Sequence, residues 1–78
     1  MLRVYSIKDE VAEEFSAPQL AKTDGVAVRM FQQAISKAPY PQDYSLWRIG
    51  SFDTETGLII SEQIQKVDLT EISSSDEA

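Results

Sequence analysis

The chain has 78 residues, no cysteine, no histidine and thirteen acidic residues against seven basic ones, which gives a net charge of −6. The length allows one small domain, and the missing residue types exclude disulfides, thiolate metal sites and histidine-based catalysis. Because so small a domain buries little core, we expect a second subunit to supplement its stability. No run approaches the roughly 18–20 apolar residues that cross a bilayer, so no membrane partner is expected.

The N-terminal quarter predicts two strands joined by a turn. Residues 2–8 are rich in strand formers and alternate loosely, and the acidic residues 9–14 are expected to form a wide turn. A second strand is predicted over 15–22. Pro18 inside it favours an edge position, since proline cannot donate to a strand ladder.

A helix is predicted over 24–37. Thr23 is a good N-cap, and Pro39 and Pro41 end the helical pattern because each lacks an N–H. Between these signals apolar residues recur with a 3.6-residue period. They are Ala27, Met30, Phe31, Ala34, Ile35 and Ala38.

The third predicted strand, 44–52, is apolar on both faces. Strict alternation would place Tyr44, Leu46, Arg48, Gly50 and Phe52 on one face and Ser45, Trp47, Ile49 and Ser51 on the other. A sheet in a two-layer domain usually leaves one face wet, so a second subunit is expected to cover the outer face.

The C-terminal third predicts a hairpin and a tail. Residues 53–57 (Asp-Thr-Glu-Thr-Gly) have the pattern of a type I turn closed by a left-handed glycine. A fourth strand follows from Leu58 to Ile64, whereas periodicity does not decide residues 65–72. Residues 73–78 have the composition of a disordered acidic tail.

These elements predict an α+β fold in the order ββαββ. One domain over 1–72 would place one amphipathic helix on an antiparallel sheet of about four strands, as a homodimer. Catalysis is not expected, since the sequence has no nucleophile elbow, no phosphate loop and no spaced metal-ligand loop. The acidic segment 9–14 is therefore interpreted as solvated turn charges, and we expect no cofactor and no metal.

Aromatic residues interleaved with cations give the sequence a nucleic-acid-binding signal. Sheet aromatics flanked by Arg or Lys can stack and hold single-stranded DNA. Core packing or dimer contacts are the alternative role for the same aromatics, and net acidity disfavours non-specific phosphate binding. The candidate binding residues are Tyr44, Trp47, Arg48, Phe52 and Arg3.

The chain resembles the small nonstructural protein of gokushoviruses, the branch of the Microviridae with small single-stranded DNA genomes. Coverage is about residues 3–58. The shared segments are Val4-Tyr5-Ser6-Ile7-Lys8-Asp9, Ala12, Phe15, Pro18, Ala27-Val28-Arg29-Met30-Phe31, Pro41-Gln42-Asp43-Tyr44-Ser45-Leu46, Ile49-Gly50-Ser51-Phe52-Asp53 and Thr56-Gly57.

The resemblance implies a nonstructural bacteriophage protein in the cytoplasm of the infected bacterium. Such a protein is expected to assist viral single-stranded DNA replication or packaging. We expect DNA to bind on one sheet face that carries Tyr44, Trp47, Arg48 and Phe52. The alternative function is an acidic adaptor that binds a viral replication or capsid protein, or a host factor, without contacting DNA.

Overall fold

The computed structural model describes residues 1–69, which contain five strands and one α-helix. In chain order these are β1 (Leu2–Asp9), β2 (Glu14–Phe15), β3 (Gln19–Ala21), α1 (Asp24–Ile35), β4 (Tyr44–Phe52) and β5 (Ile59–Lys66). A 3-10 turn, Pro41–Asp43, leads into β4. The predicted tail over 73–78 lies outside the described residues.

The strands form one antiparallel sheet in the order β2–β1–β4–β5, with β3 also paired to β1. The α+β class with one helix is therefore confirmed. The predicted second strand is two strands, however, so three strands rather than two precede the helix. Residues 16–18 interrupt it, where the Ser16 hydroxyl accepts the Ile7 N–H at 3.0 Å and Pro18 has no N–H to donate.

Helix α1 begins as its capping signal predicts. The Thr23 hydroxyl accepts the Val26 N–H at 3.2 Å, which satisfies one of the free donors of the first turn. The helix ends at Ile35, two residues earlier than predicted. There the Ser36 hydroxyl donates to the Gln33 carbonyl at 2.9 Å and the chain tightens into a turn before Pro39.

The core lies between α1 and the face of the sheet that this helix covers. Its largest side chains are Phe31 from the helix, Tyr5 from β1 and Leu46 from β4, all about 3% exposed. Val67, which follows β5, closes the core and donates its N–H to the Leu46 carbonyl at 2.9 Å. The other buried members are Ala21, Ala27 and Val28.

The hairpin between β4 and β5 matches its prediction. The Asp53 carboxylate accepts the Glu55 N–H at 2.9 Å, and this bond holds the pKa of Asp53 below its usual value. Gly57 has φ +77°, the left-handed conformation that closes the turn. Its N–H donates to the Asp53 carbonyl at 2.8 Å.

A β-bulge at Ile49 changes which faces the β4 side chains occupy. Tyr5 pairs with Arg48 and the adjacent Val4 pairs with Gly50, so Ile49 is an extra residue on β4. Because side chains alternate along a strand, one extra residue reverses the faces beyond it. The faces predicted for residues 50–52 by strict alternation are therefore wrong.

Candidate functional site

The sheet has one face that α1 covers and one that it leaves open. Residues opposite each other on neighbouring strands share a face, so the strand pairs assign each side chain to one of the two. We call the uncovered side the open face. Its residues on the three long strands include Leu2, Val4, Ser6, Lys8, Ser45, Trp47, Gly50, Phe52, Ile59, Ser61 and Lys66. Four of these, Val4, Ser6, Ser45 and Gly50, are nevertheless buried, so the accessible surface of this face comes from the others.

The predicted site residues of β4 do not share one face. Trp47 and Phe52 lie on the open face, because the bulge returns Phe52 to the side of Trp47. Tyr44 packs against the core on the helix-covered face. Arg48 lies on that face too, opposite Tyr5, and donates to the Gln65 side chain at 3.0 Å. The prediction of one common binding face is therefore wrong.

Arg3 takes part in a separate contact on the helix-covered side. Its guanidinium lies 3.1 Å from the Asp24 carboxylate, which also accepts a hydrogen bond from the Tyr5 hydroxyl. Burial, followed by the hydrogen bond to Asp24, raises the pKa of Tyr5 to about 12. These contacts tie the first turn of α1 to β1, so Arg3 has a structural partner and lies away from the open face.

The open face carries a cluster that sequence reasoning only half identified, formed by Phe15, Trp47 and Lys8. The two rings meet edge to face, with centroids 6.2 Å apart and planes inclined by 75°. The Lys8 ammonium lies 5.7 Å from the Phe15 centroid and 5.9 Å from that of Trp47, within cation–π range. Phe15 was not a predicted site residue. The pairing of β2 with β1 sets it opposite Lys8, and local sequence gives no signal for that register.

A hydrogen-bond chain fixes the orientation of the Trp47 indole. Its Nε1–H donates to the Ser45 hydroxyl at 2.9 Å, and that hydroxyl donates to the Glu10 carboxylate. The bond from Ser45 lowers the pKa of Glu10, so this carboxylate stays charged. Glu10 also lies 3.5 Å from the Lys8 ammonium. The ring is thus held by polar contacts at one edge.

The cluster offers flat apolar surface beside the Lys8 ammonium, which is paired with Glu10 at 3.5 Å. Phe15 is 45% exposed, and Trp47 and Phe52 are partly exposed. A second cation, Lys66, is the strand partner of Trp47. Such an arrangement can stack planar groups and attract a nearby anion.

The described part of the chain also bears on metal binding and on membrane insertion. Across residues 1–69, acidic side chains do not gather in any set of three or more that could hold a metal ion. Asp9 instead accepts the Val11 and Ala12 N–H groups and shapes the acidic turn. The single helix of this region lacks the length and apolar character needed to cross a membrane.

The family of this chain is shown by comparison with known protein families. The phage ORF5 protein family matches residues 2–74, nearly the whole sequence. The chain belongs to the phage ORF5 protein family. The bacteriophage origin that the sequence predicted is thereby confirmed. No curated protein and no solved structure matches this ORF5-family chain.

Proposed function

We propose that this ORF5-family protein is a non-enzymatic accessory protein of a gokushovirus-type phage, and that it binds single-stranded DNA on the open face. It would act in the bacterial cytoplasm during single-stranded genome synthesis or packaging. The observation that carries the proposal is the position of Lys8 against the exposed rings of Phe15 and Trp47.

Base stacking would supply most of the binding energy. Each base that stacks on a protein aromatic ring contributes about 1–3 kcal/mol, whatever its identity. Phe15, Trp47 and Phe52 lie on one face, and the bond from the indole to Ser45 holds Trp47 in place before any ligand arrives. A platform fixed in advance loses little conformational entropy on binding.

Electrostatic attraction would be local and modest. The open face places Lys8 and Lys66 on either side of Trp47, because each is the strand partner of a residue in the cluster. Two lysines at phosphates give a slope of log affinity against log salt of about −1.4 for a single strand. The net charge of −6 opposes any broader contact, so affinity should depend on stacking more than on salt.

The test is a titration of the purified protein into a labelled single-stranded oligonucleotide at low and physiological salt, with a duplex control. Trp47→Ala should weaken single-strand binding about 5–150-fold, the equivalent of one lost stack. Lys8→Gln should weaken it less and flatten the salt slope by about 0.7.

Two control variants separate the open face from general surface effects. Tyr40→Ala removes an aromatic ring that is 63% exposed in the loop before β4. Arg48→Ala removes a cation on the helix-covered face. Both should bind like the wild type. Absence of single-strand binding at low salt, or equal losses in Tyr40→Ala and Trp47→Ala, would overturn the proposal.

A protein-binding adaptor is the second candidate function. The net charge of −6 and the exposed apolar residues of β5 favour it, since both suit a basic or apolar protein surface better than DNA. Its partner would be a viral replication or capsid protein, or a host factor. Two results together would favour this function over the first. The protein would show no binding in the DNA titration, and it would capture such a purified partner after nuclease treatment.

A further inference from the structure

The outer edge of β5 is open. Within residues 1–69, no strand pairs with it on the side away from β4, and all eight residues of Ile59–Lys66 are exposed. The Ile60 carbonyl points at Gly50 on β4, so by the alternation of an antiparallel ladder the Ser61 backbone groups point outward. An edge of this kind presents unpaired donors and acceptors to any strand that reaches it.

The opposite edge of the sheet is closed to such pairing. It consists of β2 and β3, two and three residues long, with Pro18 between them. Short strands and proline are the usual devices that protect an edge. By contrast β5 is eight residues long and contains neither proline nor glycine, although its pairing with β4 is irregular between Ser61 and Gln65. A chain with one open and one protected edge can pair once and then stop, as a closed dimer rather than a fibre.

Charge favours a second copy of the chain at this edge. Most surfaces of a protein with net charge −6 repel an identical surface. The β5 segment is neutral, with Glu62 and Lys66 as its charged residues, and the Ser51 hydroxyl donates to Glu62 at 3.0 Å. The apolar residues Ile59, Ile60 and Ile64 are 68%, 42% and 48% exposed.

From these observations we infer that two copies pair antiparallel along β5 and join their sheets into one. An antiparallel strand is self-complementary across a two-fold axis, so each unpaired backbone group at the centre finds its equivalent on the other copy. A two-fold axis perpendicular to the sheet keeps both open faces on the same side. The two β4 strands then lie three strand spacings apart, about 14 Å, and present two Trp47 clusters to one ligand.

Size-exclusion chromatography with light scattering measures the mass of the wild-type protein in solution, which tests whether it is a dimer. A cysteine scan then tests whether β5 forms the interface. The chain has no native cysteine, so single substitutions through Ile59–Lys66 report on this strand alone. Under mild oxidation, crosslinking should peak at one position near the two-fold axis and fall off on both sides. Val11→Cys, in the exposed acidic turn, is the matched control for random collision and should not crosslink.

A charge substitution gives an independent measurement. Ile64→Lys adds like charges to both copies of the paired strand and should raise the dimer dissociation constant by at least about tenfold. Val11→Lys, at a residue that is 75% exposed, should leave it unchanged, and circular dichroism should show that both variants fold.

A monomeric wild type at every concentration, or a flat crosslinking profile, would refute the pairing. A dimer that survives Ile64→Lys and crosslinks elsewhere would place the interface on another surface. The inference is separable from the DNA-binding proposal, because a monomer that binds single-stranded DNA would refute the pairing alone.

Discussion

Replacing Gly50 by alanine tests whether the bulge in β4 depends on a missing side chain. A methyl carbon built on Gly50 would lie 2.4 Å from the Ile60 carbonyl oxygen, whereas real Cβ atoms essentially never approach another atom closer than 3.0 Å. The obstacle is backbone in β5, so it cannot be relieved by a rotamer change. The two strands would have to separate locally by about 0.6 Å.

The expected cost follows from this geometry. Overpacking that forces backbone shifts typically destabilises a protein by about 1–3 kcal/mol. A chain of 78 residues has about 4–12 kcal/mol of total stability, so the loss is a large fraction of it. For a domain of this size each kcal/mol lowers Tm by about 4–8 °C, which predicts a Tm about 4–24 °C below that of the wild type.

Thermal unfolding followed by circular dichroism measures the effect, with Ser51→Ala as the matched control on the neighbouring residue. The Ser51 hydroxyl makes an exposed hydrogen bond to Glu62, so its removal should change stability by no more than about 0.5 kcal/mol. A Gly50→Ala protein as stable as Ser51→Ala would show that β4 and β5 tolerate a side chain at the bulge. The close approach of the Ile60 carbonyl to Gly50 would then not be what restricts this position to glycine.

Substitutions at three further positions test other contacts. Tyr5→Phe should make the free energy of unfolding less dependent on pH in the alkaline range. The folded-state pKa of Tyr5 is raised to about 12 from 10.0, so the tyrosine adds about 2–3 kcal/mol to the stability of the wild type below pH 10, and this contribution is lost as the pH rises to 12. Urea unfolding across that range, compared between the two proteins, would contradict this if both lost stability equally. Gly57→Ala should destabilise by about 1–2 kcal/mol and Gly57→Asn by less, because φ is +77° with open space around it, and equal melting temperatures would argue against backbone strain. Thr23→Ala should cost about 1 kcal/mol in chemical denaturation through loss of the helix cap, a result that an unchanged midpoint would exclude.

Elements with strong local signals were predicted well from the sequence. Thr23 caps the N-terminus of α1 as predicted, and the predicted strand 44–52 has the bounds observed for β4. Asp53 and Gly57 form the turn that their spacing predicts. Each of these features is specified within a few residues of the chain, by a cap, an apolar period or a left-handed turn position. The β2–β3 interruption was missed, since it depends on which residues of β1 the segment meets.

The candidate site was predicted less well, because its composition depends on strand pairing. Trp47 was predicted as a site residue together with Tyr44 and Phe52 of the same strand, and the structure places it on the open face. Phe15 joins it only through the β1–β2 register, and Phe52 reaches the same face only through the bulge at Ile49. Neither effect has a signature in a single sequence, whose alternation assumes an unbroken ladder.

The sequence by itself determined the single amphipathic helix and the three long strands, the absence of thiol and imidazole chemistry, and an acidic balance that limits contact with nucleic acid. Those properties follow from residue identity and spacing along the chain. Tertiary structure decided which side chains share a face, that Arg3 is bonded to Asp24 on the helix-covered side, and that β5 is left at an edge. The reason is that a face and an edge are relations between strands far apart in sequence, which form only when the ladders close.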